Sequence, residues 1–184
     1  MKLALFVAMA VLFAVSTPVP AYEVVNRTIN EDELLAAQQN WCEALVEISN
    51  TYAGNGHSQA RALAERVIDE AYGYQMGAVL FKPTLATTPQ TFRTTPAGAL
   101  SYFIGGDSAF PNDTGFALKG WTRCEAENAA FFISGNSAST MGKVHFTGQD
   151  GNVTTVDKTW GFVKDDDGNL RIVLHHSSLE YINQ

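Results

Sequence analysis

Hydrophobic and polar positions follow a helical period in the first half of the chain and an extended one in the second. Leu34, Leu35, Trp41, Leu45, Val46 and Ile48 form one helical stripe. Asn30 precedes the acids Glu31, Asp32 and Glu33, an N-cap with a favourable first turn, so a helix is predicted from there to about Tyr52. Ala53-Gly54-Asn55-Gly56 breaks it. Ser58 is placed to cap a second helix over Gln59 to about Tyr72, with Leu63, Val67, Ile68 and Ala71 on its apolar side. Beyond Gly77 the pattern becomes extended. Ala78–Phe81 reads as a strand, and Gly98–Phe103 as a short helix or extended piece beside Gly105-Gly106. Four longer strands follow, over Trp121–Ser134, Thr140–Thr147, Val153–Lys164 and Leu170–Tyr181, with turns rich in Gly, Asn and Asp between them. Helices first and a meander later predict an α+β fold: N-terminal helices packed on a strongly curved antiparallel sheet that encloses a conical pocket.

The last strand carries the strongest chemical signal. Arg171-Ile172-Val173-Leu174 begins as buried strand and runs directly into His175-His176-Ser177-Ser178. Side chains alternate across a strand, so His175 and Ser177 share one face and His176 and Ser178 the other. Adjacent histidines therefore diverge and do not readily bind one metal. An imidazole beside a hydroxyl instead suits metal-free acid–base chemistry. A strand end emerging into solvent would give the same pattern.

Composition and targeting narrow the function. Met1-Lys2 opens the chain, Leu3–Val15 is apolar, and Val19-Pro20-Ala21 supplies small residues for cleavage. This predicts a signal peptide over 1–21, a mature domain over 22–184 and a periplasmic or secreted location. The net charge of −7 becomes −8 when Lys2 is lost, which argues against nucleic acid and against an anionic membrane surface. An exported compartment permits a Cys42–Cys124 bridge, but the sequence leaves open whether the two meet. Asp165-Asp166-Asp167 sits against Gly168-Asn169 and reads as a hairpin turn; it lacks the alternating ligands and later Glu of a calcium loop. His57 is expected on the surface of the helix-joining loop. His145 lies mid-strand, facing either way.

The stretches GAVLFKPTLA (Gly77–Ala86), GALSYFIGG (Gly98–Gly106), GFALKGW (Gly115–Trp121) and RIVLHHSSLEY (Arg171–Tyr181) resemble the iota-class carbonic anhydrases. The resemblance runs from about Asn40 to Tyr181. It implies an NTF2-like (SnoaL-like) cone-shaped barrel, akin to the association domain of calmodulin-dependent kinase II, and a homodimer. It also implies a lyase that reversibly hydrates carbon dioxide to bicarbonate with no cofactor, although zinc- or manganese-using members leave those metals open. Residue by residue, the site implied is Thr84 from KPT, Tyr102 from SYF, and His175 and Ser177 from HHSS. On that reading His175 or Tyr102 takes a proton from water, and the hydroxyls hold the oxygens that gain charge. The alternative is a non-catalytic NTF2-like binding or dimerisation module, which would lack the polar quartet in its pocket.

Overall fold

A computed structural model of the chain describes residue 24 and residues 26–181; the predicted signal peptide and its cleavage site lie outside them. Helix α1 spans Glu31–Asn55 and opens with a capping box: the Asn30 side chain accepts from the Glu33 N–H, and the Glu33 side chain accepts from the Asn30 N–H. It runs beyond Tyr52 because Gly54 is tolerated in its last turn, and the reversal falls on Gly56, at φ 83°. That one glycine both ends α1 and starts α2, His57–Ala71, so Ser58 is not the cap that the sequence led one to expect. His57 is the first residue of α2, with its Nε2 3.1 Å from the Ile104 carbonyl oxygen. Strand β1 is short, Leu80–Lys82. Helix α3, Pro96–Ile104, settles the ambiguous Gly98 segment as helix, with Pro in the first turn and the Thr95 hydroxyl accepting from the Gly98 N–H. Strands β2 (Trp121–Ser134), β3 (Ser137–Gly148), β4 (Val153–Lys164) and β5 (Leu170–Leu179) follow.

The sheet order is β1-β5-β4-β3-β2. Strands β2 to β5 form the expected antiparallel meander, but β1 lies parallel to β5 through Leu80↔Leu174, Phe81↔His175 and Lys82↔His176. The sheet is therefore mixed, not antiparallel. Strand direction at an edge reached by a long connection depends on the intervening α3 and on the whole meander, which local patterning does not encode. The sheet curls but stays open, without closing into a barrel. One of its register shifts, which bend a strand, falls between Asn128 and Ala130. There a Cβ on Gly142 would lie 2.0 Å from the Glu127 carbonyl oxygen, so only glycine lets β3 approach so closely.

The concave face closes over α1. Trp41 packs edge-to-face with Phe103, Phe146, Trp160 and His175. Cys42 and Cys124 are joined as a disulfide with a Cα separation of 5.0 Å, which pins α1 to β2. One helical turn earlier, buried Gln38 exchanges hydrogen bonds with Asn128 and donates to Thr140. The loop carrying α3 is anchored by a buried ion pair, Arg93 to Asp113 at 2.7 Å, and Asp113 also accepts from the Ser101 hydroxyl. The triple aspartate is a turn, as predicted: Asp165 accepts from the N–H groups of Asp167 and Asn169 and from the Arg171 guanidinium.

Candidate active site

Alternation along β5 places His175 and Ser177 on the concave face, both 2% exposed, while His176 is exposed on the outer face. Cross-strand pairing sets Trp160 beside His175 and Lys158 beside Ser177. On the other flank β1 delivers Phe81 opposite His175, their rings stacked at 4.5 Å. The chain then leaves the sheet through Pro83, and Thr84 turns its hydroxyl onto Ser177, donating to Oγ at 2.6 Å. Lys82 secures the same junction by donating to the Ser177 carbonyl oxygen. Tyr102 enters from α3, stacked on Phe116 and edge-on to Phe81.

Thr84, Tyr102, His175 and Ser177 thus line one cavity of about 10 Å³, with room for about one water molecule. Trp41, Phe81, Phe103, Phe116 and Phe146 give it an apolar wall, and Lys158 also lines it. An apolar wall facing hydroxyls suits a linear apolar molecule that becomes a charged trigonal one, and the lining must part to admit it beside a water, because the closed space holds about one water. Burial raises the Tyr102 pKa well above its ordinary value, against the opposing pull of hydrogen bonding to the Leu85 backbone and the Thr84 side chain. Its phenol is therefore a neutral O–H donor at physiological pH.

Three functional candidates escaped the sequence reading. Tyr72, just past α2, takes a hydrogen bond at its hydroxyl from the Trp41 indole N–H (2.9 Å) and meets His175 Nδ1 at 2.8 Å. Lys158 places Nζ 2.5 Å from His175 Nε2. Both imidazole nitrogens are therefore engaged by protein. Burial drives the His175 pKa well below its ordinary value, helped by the neighbouring Lys158 and His176 charges. Burial likewise pushes Lys158 down to about 7. The signal for Lys158 was present in β4: Val156, Trp160 and Phe162 alternate inward, and a lysine occupies the inward position between the first two. Trp41 and Tyr72 looked like core aromatics, and nothing local marked them otherwise.

His176 and Ser178 line a separate outer groove with Glu127, Lys143 and Asp157. His145 also faces that side, between Thr155 and Glu127. Among the described residues no three or more His, Cys, Asp or Glu side chains cluster as a metal site.

Comparison with known proteins places the family. The family model for metal-independent carbonic anhydrase matches residues 32–179. A metal-independent carbonic anhydrase of Nostoc sp. strain PCC 7120 is 64% identical over 158 residues, 86% of this chain and 77% of that protein. The crystal structure of an iota-carbonic anhydrase from a cyanobacterium, complexed with bicarbonate, is 62% identical and superposes with a TM-score of 0.86, covering 89% of this chain and 100% of that one. A calcium/calmodulin-dependent protein kinase II association domain from Xanthomonas campestris superposes with a TM-score of 0.54 at 18% identity, over 87% of this chain and 98% of its own, which is a likeness of NTF2-like fold alone.

Proposed function

The chain belongs to the metal-independent carbonic anhydrase family, and from that premise we propose that the cavity between β1, β5 and α3 is where carbon dioxide and water become bicarbonate. The observation that carries this is the Thr84–Ser177 hydroxyl pair facing Tyr102 and His175 inside an aromatic-walled space. Free water, with a pKa of about 15.7, attacks carbon dioxide slowly, and no metal lowers that value in this family. The work falls to fixed dipoles. The apolar wall holds carbon dioxide, Thr84 and Ser177 orient the water, and the Tyr102 O–H donates to an oxygen that gains charge as the carbon becomes trigonal. His175 has both nitrogens tied, so it acts through the groups that it touches.

Two further points belong to this reading. The predicted signal peptide supports export to the periplasm or beyond, with the mature chain starting near Tyr22. The outer face of the sheet supports a homodimer: Phe132 and Met141 project from it 72% and 61% exposed, apolar surface that a second copy would cover.

The test is carbon dioxide hydration by purified mature protein before and after extended chelation. The expected result is undiminished activity. Activity that disappears with EDTA and returns only with zinc or manganese would overturn the mechanism. Inactive, folded protein would favour the binding-module alternative. Light scattering that finds only monomer at micromolar concentration would remove the dimer.

A further inference from the structure

We infer that Lys158 is held as a neutral amine by the hydrogen-bond polarity of the Trp41–Tyr72–His175 chain, and that this amine takes the proton from the attacking water. The inference rests on the cavity being the reaction site. The polarity follows from which atoms can donate. The Trp41 indole N–H is only a donor, so the Tyr72 oxygen accepts from it. The Tyr72 hydroxyl hydrogen then has His175 Nδ1 as its partner at 2.8 Å. A neutral imidazole that accepts at Nδ1 carries its hydrogen on Nε2. That N–H points at Lys158 Nζ, 2.5 Å away, and an ammonium has no lone pair to receive it. The opposite polarity, with Nδ1–H donating to Tyr72 and an ammonium donating to Nε2, leaves a buried phenol O–H without an acceptor. With the neutral amine, the polar groups of Trp41, Tyr72 and His175 all find partners.

Burial favours the neutral form: Lys158 is 4% exposed. The Trp41 and Trp160 rings, 4.8 Å and 5.2 Å from Nζ, favour the ammonium and oppose that burial in part. The titratable groups facing it are His175 from β5, Tyr102 from α3 and Tyr72 from the end of α2. Lys158 also borders the outer groove with Glu127, Lys143, Asp157 and His176; there His176 acts on His175, and Asp157 is held by Lys143. No carboxylate lines the cavity among the described residues. Burial without a counter-charge pushes Lys158 down to about 7, which is where a base working near neutral pH operates best. His175, with both nitrogens engaged, offers no free lone pair to water.

The step balances without another reactant. Rotation about the Cε–Nζ bond turns the amine lone pair from the His175 N–H to a water hydrogen. The water O–H bond breaks, its proton joins Nζ, and the oxygen pair forms the new C–O bond. The displaced carbonyl electron pair rests on an oxygen facing the hydroxyls. Bicarbonate and ammonium result. The His175 N–H, now opposing the ammonium, favours return of the proton to bulk water or buffer as bicarbonate leaves.

The test titrates Lys158 directly in the wild-type protein, by NMR of selectively labelled lysine. A midpoint near pH 7 is expected. A midpoint within about a unit of the ordinary 10.4 overturns the inference. Hydration activity should rise through that same midpoint. Lys158→Arg keeps a cation but cannot give up its proton, so it should lose roughly 100-fold or more in kcat. A folded, active Lys158→Arg protein would show that only positive charge is needed and would also overturn it. Failure of the cavity reading is distinguishable: there, Tyr102→Phe and Ser177→Ala would both be fully active.

Discussion

Thr84 donates its hydroxyl to Ser177 over 2.6 Å, bridging the exit of the first strand to the end of the last. The two residues are 93 positions apart and meet only because β1 docks parallel on β5. Removing either hydroxyl leaves the other without its partner in the cavity. Ser177→Ala and Tyr102→Phe should each lower kcat about 100-fold while the protein stays folded, the lower end of what one lost charge-stabilising donor costs. His176→Ala should change the rate far less than His175→Ala, because its ring lies on the outer face. Stopped-flow hydration rates with circular dichroism check both, and equal losses at the two histidines would contradict the assignment.

Burying Lys158 destabilises the fold near neutral pH. Its folded pKa of about 7 lies below the unfolded value near 10.5, so between those values the unfolded chain binds a proton that the native one lacks. From this group, stability is lowest below about pH 7 and rises toward pH 10. Lys158→Met, which fits the same apolar lining, should therefore raise Tm at pH 7, by an amount equivalent to roughly a few kcal/mol. The gain should shrink as pH increases to 10. Thermal melts of the two proteins across that range test it; a constant difference would show that Lys158 is not buried as an amine.

The Cys42–Cys124 bridge closes a loop of 82 residues and fixes the helix that carries Trp41. Constraint of the unfolded chain over a loop of that length contributes about 4 kcal/mol. A double Cys42→Ala, Cys124→Ala variant should melt well below the oxidised protein, and adding reductant to the wild type should reproduce the drop. Insensitivity to both would mean that the bridge contributes little.

Asp113 balances Arg93 inside the α3 anchor, and both side chains are almost wholly buried. Asp113→Ala leaves the guanidinium without its counter-charge and the Ser101 hydroxyl without its acceptor. A loss of about 3–5 kcal/mol is expected, with activity falling in parallel because α3 positions Tyr102. Urea denaturation measures the first and hydration assays the second.

The sequence alone determined the order of the elements and the kind of most, though not of the Gly98 segment, because these rest on neighbours a few residues apart: the Asn30 cap, the turn at Gly168-Asn169, and the inward–outward alternation that pairs His175 with Ser177. Resemblance to relatives supplied Thr84 and Tyr102, which alternation could not reach. Tertiary structure alone decided what crosses long separations. It made β1 parallel to β5, so that Thr84 meets Ser177, and it joined Cys42 to Cys124. It also turned two apparent core aromatics, Trp41 and Tyr72, into a donor chain ending on His175 and Lys158. The reason is physical. Periodicity reports which face a residue occupies, whereas the direction of a buried hydrogen bond depends on every atom that the fold brings to its other end.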